Sequence, residues 1–250
     1  MVEFQGFVFD IDKTAVPNGA QTVESLVLRD AFASLPEDVI AIAATGRSPE
    51  FALPITRALS LKHESVVANG ALIINSLTGA PWWERLLTEN QVAGVITICK
   101  PYDYRLWLTG DPKDERLNAS QQKSRPSAGA FLTDVPAEIA HDVHARLINI
   151  PGVNAYLSPS WGGGINELDI NIGNTEARKH IALEVLFGKY AIDASKMIGI
   201  GDGINDLDLF EAVGYRVAVA NAHPLLIEKA DEVVTSQEED GLAEVVRRFA

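Results

Sequence analysis

Apolar residues recur along this chain in two rhythms, and the change between them divides it. In the first, a run of consecutive apolar residues stops abruptly at polar ones. Phe7-Val-Phe9 runs into Asp10, Val39-Ile-Ala-Ile-Ala-Ala44 into Thr45, and Met197-Ile-Gly-Ile200 into Gly201-Asp202. Short unbroken runs rich in aromatic and β-branched residues predict strands buried on both faces, as in a parallel sheet. Single apolar stripes lie between them. Thr22 predicts the cap of a helix through Leu26, Val27 and Phe32, and Pro49 opens a second helix that runs to about Ser60. Val66-Val67, Asn69-Gly70 and Ala71 to Ile74 read as strand, turn and strand. The same alternation returns late in the chain. Thr175 to Phe187 predicts a helix, and after the strand at Met197 come a helix through Leu209 and Phe210, a strand Val217 to Ala220 and a helix Pro224 to Lys229. A short strand Glu232 to Thr235 and a helix Gly241 to Phe249 complete it.

The second rhythm begins near Pro81-Trp82-Trp83. It predicts a helix from Glu89 to Cys99, a strand from Tyr104 to Thr109, and a polar loop from Asp111 to Ser127. A helix through Ile139, Val143 and Leu147 follows, then strands Val153 to Leu157 and Ile165 to Ile170 around Trp161-Gly-Gly-Gly164. Together the patterns predict an α/β protein: a doubly wound, Rossmann-like parallel sheet over residues 1–82 and 172–250, interrupted by a smaller α+β domain over 83–171.

Composition narrows the classes. With 47% hydrophobic and 22% charged residues the chain has the make-up of a folded globular protein. A net charge of −13 with no Lys/Arg-rich run argues against attraction to a nucleic-acid backbone. The N-terminal residues lack a signal-peptide pattern, and no apolar stretch approaches the roughly 20 residues that span a bilayer. Cys99 is the single cysteine and sits among Val95, Ile96 and Ile98, which predicts a buried structural thiol and no internal disulfide. A cytoplasmic protein without membrane or nucleic-acid partners is expected.

The polar residues that end the buried strands are the candidate chemistry. In open parallel sheets ligands collect beyond the carboxyl ends of the strands. Adjacent strands would gather Asp10, Asp12, Asp202 and Asp206 at one edge, with Thr45 and Asn205 beside them. Four like charges need compensation, and a hard divalent cation with oxygen ligands such as Mg²⁺ supplies it. The Thr45 hydroxyl, backbone amides near Ile11 and Gly46, and one lysine would then receive a phosphoryl group. Each motif alone is weak. Asp-x-Asp-x-Thr is common in turns and caps, and Gly201–Asp206 lacks the ligand order of a calcium loop.

In order and spacing these residues resemble the haloacid dehalogenase superfamily. Its first motif, Asp-x-Asp-x-Thr, matches Asp10-Ile-Asp12-Lys-Thr14, its second matches Thr45 in Ala44-Thr45-Gly46-Arg47, and its fourth matches Gly201 through Asp206. Its third, a lysine near a helix start, fits Lys179-His180-Ile181-Ala182-Leu183, with His180 where glycine is usual. Val217-Ala-Val-Ala-Asn221-Ala222 and Glu239-Asp240-Gly241 look like the Cof-like sugar-phosphatase branch, whose cap occupies the position of the insert here. The resemblance implies an aspartyl-phosphate on Asp10, acid/base work by Asp12, and phosphate contacts from Thr45, Gly46, Lys179 and Asn205. It also implies Mg²⁺ held by Asp10, the carbonyl of Asp12 and Asp202, with Asp206 adjacent. The activity implied is hydrolysis of a small phosphorylated metabolite, a sugar phosphate or a phosphoglycolate-like acid. A phosphomutase of the phosphomannomutase type, or an idle fold used for binding, are the alternatives. An ion-pump reading of Asp12-Lys13-Thr14 fails because Ala15-Val16 replaces the expected Gly-Thr. In the insert, Arg105, Trp107, Arg125, Trp161 and Gly162 to Gly164 are candidate substrate contacts.

Overall fold

Gly6–Phe9 (β1) is extended and buried at every residue, as its run of bulky apolar side chains predicts. These are coordinates of a computed structural model, which describes residues 4–102, 105–110, 113–117, 125–160 and 164–250. The next helix, α1, spans Leu26–Ala33. Its cap is Ser25, whose hydroxyl accepts the Leu28 N–H at 3.0 Å, and not Thr22. Moving the start by three residues turns the buried face to Leu28, Ala31 and Phe32, and leaves Leu26 and Val27 exposed. After β2 (Ile40–Ala43), α2 (Pro49–Ala58) begins at Pro49 as expected, because proline forfeits only an N–H that the first turn cannot use. β3 (Ser65–Val67) and β4 (Leu72–Ile74) form an antiparallel hairpin. Its turn places Ala68, Asn69 and Gly70 at positive φ. β5 spans Pro81–Glu84.

The middle of the chain is α3 (Glu89–Cys99), β6 (Arg105–Thr109), β7 (Glu115–Arg116), β8 (Gly129–Pro136), α4 (Ala137–Leu147), β9 (Val153–Pro159) and β10 (Glu167–Asn174). The strands make an antiparallel sheet in the order β7-β6-β8-β10-β9. Three expectations are corrected here. The polar segment read as loop contains β7, β8 went unread, and the last strand lies further along the chain than Ile165 to Ile170. Leu87, Val92, Val95, Leu106, Leu108, Leu132, Val135, Val143 and Ile170 build this region's own core. Cys99 belongs to it, and burial pushes its thiol up to about 12.

Alternation then resumes with α5 (Lys179–Tyr190), β11 (Met197–Gly201), α6 (Leu207–Glu211), β12 (Tyr215–Val219), α7 (Pro224–Lys229), β13 (Glu232–Val234) and α8 (Gly241–Val246). Five strands run parallel in the order β13-β12-β11-β1-β2. A parallel bridge from Ala44 to Val66 carries the pairing on towards β3. β1, which comes first in sequence, therefore lies between β2 and β11 inside the sheet. By internal contacts the chain forms two compact units. One joins the residues up to Trp83 with Arg178–Ala250, and the other is Glu84–Ala177. Within the second unit the two chain ends are tied together. Asn174 donates to the Leu86 carbonyl at 2.9 Å, and Arg85 lies 3.5 Å from Glu176.

Candidate active site

The register of β1 against β11 brings the two carboxylate-bearing strand ends side by side. Phe9 is level with Ile200, and the Asp10 N–H continues the ladder to the Ile200 carbonyl at 2.9 Å. On the other flank the Ala44 N–H bonds Phe9, so Thr45 emerges from β2 beside the same edge. Beyond β11 the chain turns through Ile204–Asp206, and both Asp206 oxygens are taken. Oδ2 accepts the N–H groups of Asp202 (3.0 Å) and Gly203 (2.9 Å), and Oδ1 accepts from Lys179. Glycine is required at 201, where a Cβ would sit 2.6 Å from Asp206 Cβ and Cγ.

Lys179 is the first residue of α5. The helix predicted from Thr175 starts four residues later, because the Thr175 N–H bonds Gly152 and the Glu176 N–H bonds the Asn174 side chain. Gly70 packs against this start, leaving no room for a Cβ within 2.3 Å of the Arg178 backbone. The Lys179 side chain is 1% exposed, and its Nζ lies 2.7 Å from Asp10 Oδ1 and 2.6 Å from Asp206 Oδ1. Burial alone would strip its proton, but Asp10 and Asp206 outweigh that and hold it as an ammonium.

One ammonium does not balance the cluster. Asp10, Asp202 and Asp206 each offer an oxygen within 4.8 Å of the others. Burial, with repulsion from Asp206, holds the Asp10 carboxyl well above the usual range and pushes Asp202 up to about 7. The Thr14 hydroxyl, donating to Asp202 at 3.3 Å, offsets only part of this. Three oxygen donors with uncompensated charge fit a hard divalent cation, and they have no soft ligand among them.

Asp12 does not join that cluster, so three of the four expected carboxylates converge. Its side chain turns to Arg47, which donates from Nε to Oδ2 at 2.8 Å and from Nη2 to Oδ1 at 2.7 Å. The Gly19 N–H adds a bond to Oδ1 at 2.8 Å. Two residues apart on an extended chain would share a direction, but β1 ends at Phe9 and the chain bends at Ile11, between the two carboxylates. Arg47 was not singled out from sequence. The only hint was its place directly after Thr45-Gly46 at a strand end. Thr45 is buried and its hydroxyl accepts the Arg47 N–H at 3.1 Å, whereas Gly46 and Asn205 are exposed.

The remaining described candidates in Glu84–Ala177 have partners within that unit. Trp107 stacks on Phe131 with centroids 5.8 Å apart, Arg105 lies 3.5 Å from Asp134, and Arg125 3.2 Å from Glu115. Gly164 is exposed and donates its N–H to Glu167, while Trp161, Gly162 and Gly163 lie outside the described residues. His180, at the unusual third-motif position, is half-buried 3.8 Å from Asp208 and 3.7 Å from Glu211, and Arg178 already pairs with both acids.

The profile of haloacid dehalogenase-like hydrolases matches residues 7–146 and 154–246, nearly the whole chain. The chain belongs to this family. Among its relatives is a Bacillus subtilis protein, YkrA, which carries a provisional phosphatase name. It is 34% identical over 99% of this chain and 95% of its own length. A phosphoglycolate phosphatase of Methanothermobacter thermautotrophicus is 44% identical over 80 residues, which are 32% of this chain and only 36% of that protein. A crystal structure of a haloacid dehalogenase-like hydrolase from Bacteroides thetaiotaomicron superimposes with a TM-score of 0.84. It covers 99% of this chain and all of the other, at 20% identity. The identity expected from the motifs, a haloacid dehalogenase-type phosphatase of the Cof-like branch on an α/β core, is borne out. Among the described residues no helix is long and apolar enough to cross a membrane.

Proposed function

We propose that the protein is a Mg²⁺-dependent phosphatase that hydrolyses a small phosphorylated metabolite through an aspartyl-phosphate on Asp10. The observation that carries the reading is the buried Lys179 ammonium between Asp10 and Asp206 at the strand ends, with Asp202 completing the acidic group. Asp10 attacks phosphorus, and the ester P–O bond breaks with its electron pair going to the leaving oxygen. Asp12 gives that oxygen a proton, then takes one from the water that attacks the acyl phosphate, so inorganic phosphate leaves and the Asp10 carboxylate is restored. Lys179, the Thr45 hydroxyl, the Gly46 amide and Asn205 receive the non-bridging oxygens. Mg²⁺, held by Asp10, the Asp12 carbonyl and Asp202 with Asp206 adjacent, would neutralise charge on the phosphoryl group.

Glu84–Ala177 serves in this reading as the cap that selects the substrate, a sugar phosphate or a phosphoglycolate-like acid. The name of the Methanothermobacter relative favours the acid. Phosphate release from a panel of phosphorylated metabolites, with and without Mg²⁺, tests both parts. Release without an activating bisphosphate separates hydrolysis from a mutase reaction. Asp10→Asn is expected to abolish turnover of every ester, and Mg²⁺-dependent turnover that survives it sinks the mechanism.

A further inference from the structure

Arg47 is a cation with no place in the reaction as written, yet it is among the most fully used side chains of the site. Its side chain is only 7% exposed. Nε and Nη2 form the fork on the two Asp12 oxygens, and Nη1 donates to the carbonyls of Ala20 (2.7 Å) and Phe51 (3.0 Å). Both the loop after β1 and the first turns of α2 therefore fix the guanidinium, which in turn fixes the plane of the Asp12 carboxylate. The Gly19 N–H on Oδ1 leaves that group little rotational freedom. A planar fork of this kind defines orientation as well as charge, which a point-charge ammonium cannot do.

We infer that Arg47 is the positioning residue for Asp12, orienting its carboxyl for proton transfer to the leaving oxygen and from the attacking water. The inference rests on the proposed role of Asp12. Proton donation matters in proportion to the basicity of the leaving group, so loss of alignment harms esters selectively. An alkyl phosphate needs the proton and p-nitrophenyl phosphate hardly does. Water activation, by contrast, follows ester cleavage and is common to every substrate.

Arg47→Lys keeps the charge and removes the fork. For this variant kcat/KM on an alkyl phosphate should fall about 100-fold, and on p-nitrophenyl phosphate less than about threefold. Its kcat should drop towards one value for both esters, with phosphorylated protein accumulating in acid-quenched samples. A double-mutant cycle with Asp12→Asn reads whether the arginine acts through the aspartate. If it does, the double variant is no slower on the alkyl ester than Asp12→Asn alone. A structural role would lower kcat/KM for both esters by the same factor and add to the Asp12→Asn loss, and either result overturns the inference. Asp10→Asn keeps the two levels apart. Activity surviving that change defeats the proposed mechanism, whereas an inactive Asp10→Asn beside an ester-independent Arg47→Lys defeats only the role of Arg47. Should Arg47→Lys not fold, Arg47→Gln enters the same cycle with the same two outcomes.

Discussion

Lys179 shows how much of the site depends on one side chain. Taking an ammonium out of water is costly, and here the cost is met by two carboxylates at 2.7 and 2.6 Å. Removing it leaves Asp10 and Asp206 buried beside Asp202 with no countercharge from this helix. Lys179→Met should therefore destabilise the metal-free protein by about 3–5 kcal/mol, measured by urea unfolding, and added Mg²⁺ should recover part of the loss. Sequence alone carried this residue, because a lysine two positions ahead of a helical Ile-Ala-Leu stripe stood in the right order with the other motifs. It did not carry Arg47. Nothing local distinguishes an arginine bound in a fork from one in solvent, since its partner Asp12 lies far away in sequence and the two meet only once β1 and β2 pair.

Elements were legible where local chemistry and tertiary packing agreed. α2 begins at its proline, α7 and α3 have their expected bounds, and β11 begins with its apolar run at Met197. β8 failed because its pattern is broken from within. Gly129 and Ala130 are too small to mark a strand, Asp134 stands at φ 58°, and Pro136 closes it, although Leu132 and Val135 are fully buried. α1 and α5 failed at their starts for different reasons: Ser25 caps α1 in place of Thr22 through a local bond from Leu28, whereas the Thr175 N–H is drawn to the distant Gly152 carbonyl. Burial of α3 gives a direct test at this scale. With its thiol pushed up to about 12, Cys99 carries almost no thiolate below pH 9. Iodoacetamide should leave the native protein unlabelled at pH 8 and label it stoichiometrically in urea, as read by mass spectrometry.

For the molecule as a whole, the internal core of Glu84–Ala177 and its tied ends have the form of a self-contained domain. A fragment comprising residues 84–177 is expected to fold by itself, with mixed α/β circular dichroism and one cooperative urea transition. A fragment that stays unfolded would show that its core is insufficient without the remainder. The parallel sheet of the other unit has no such independence. β1 has β2 close by in sequence, but its second neighbour is β11, and Gly6 pairs with Met197. β1, bulky and fully buried in the sheet, is therefore made long before β11 and keeps one edge open until that strand follows. Pairings of such long sequence separation are slow to form, and exposed strand edges invite association between chains. The same strand order that brings Asp10 beside Asp202 thus makes folding of this unit sensitive to protein concentration, because partly folded chains carry an unpaired β1 edge.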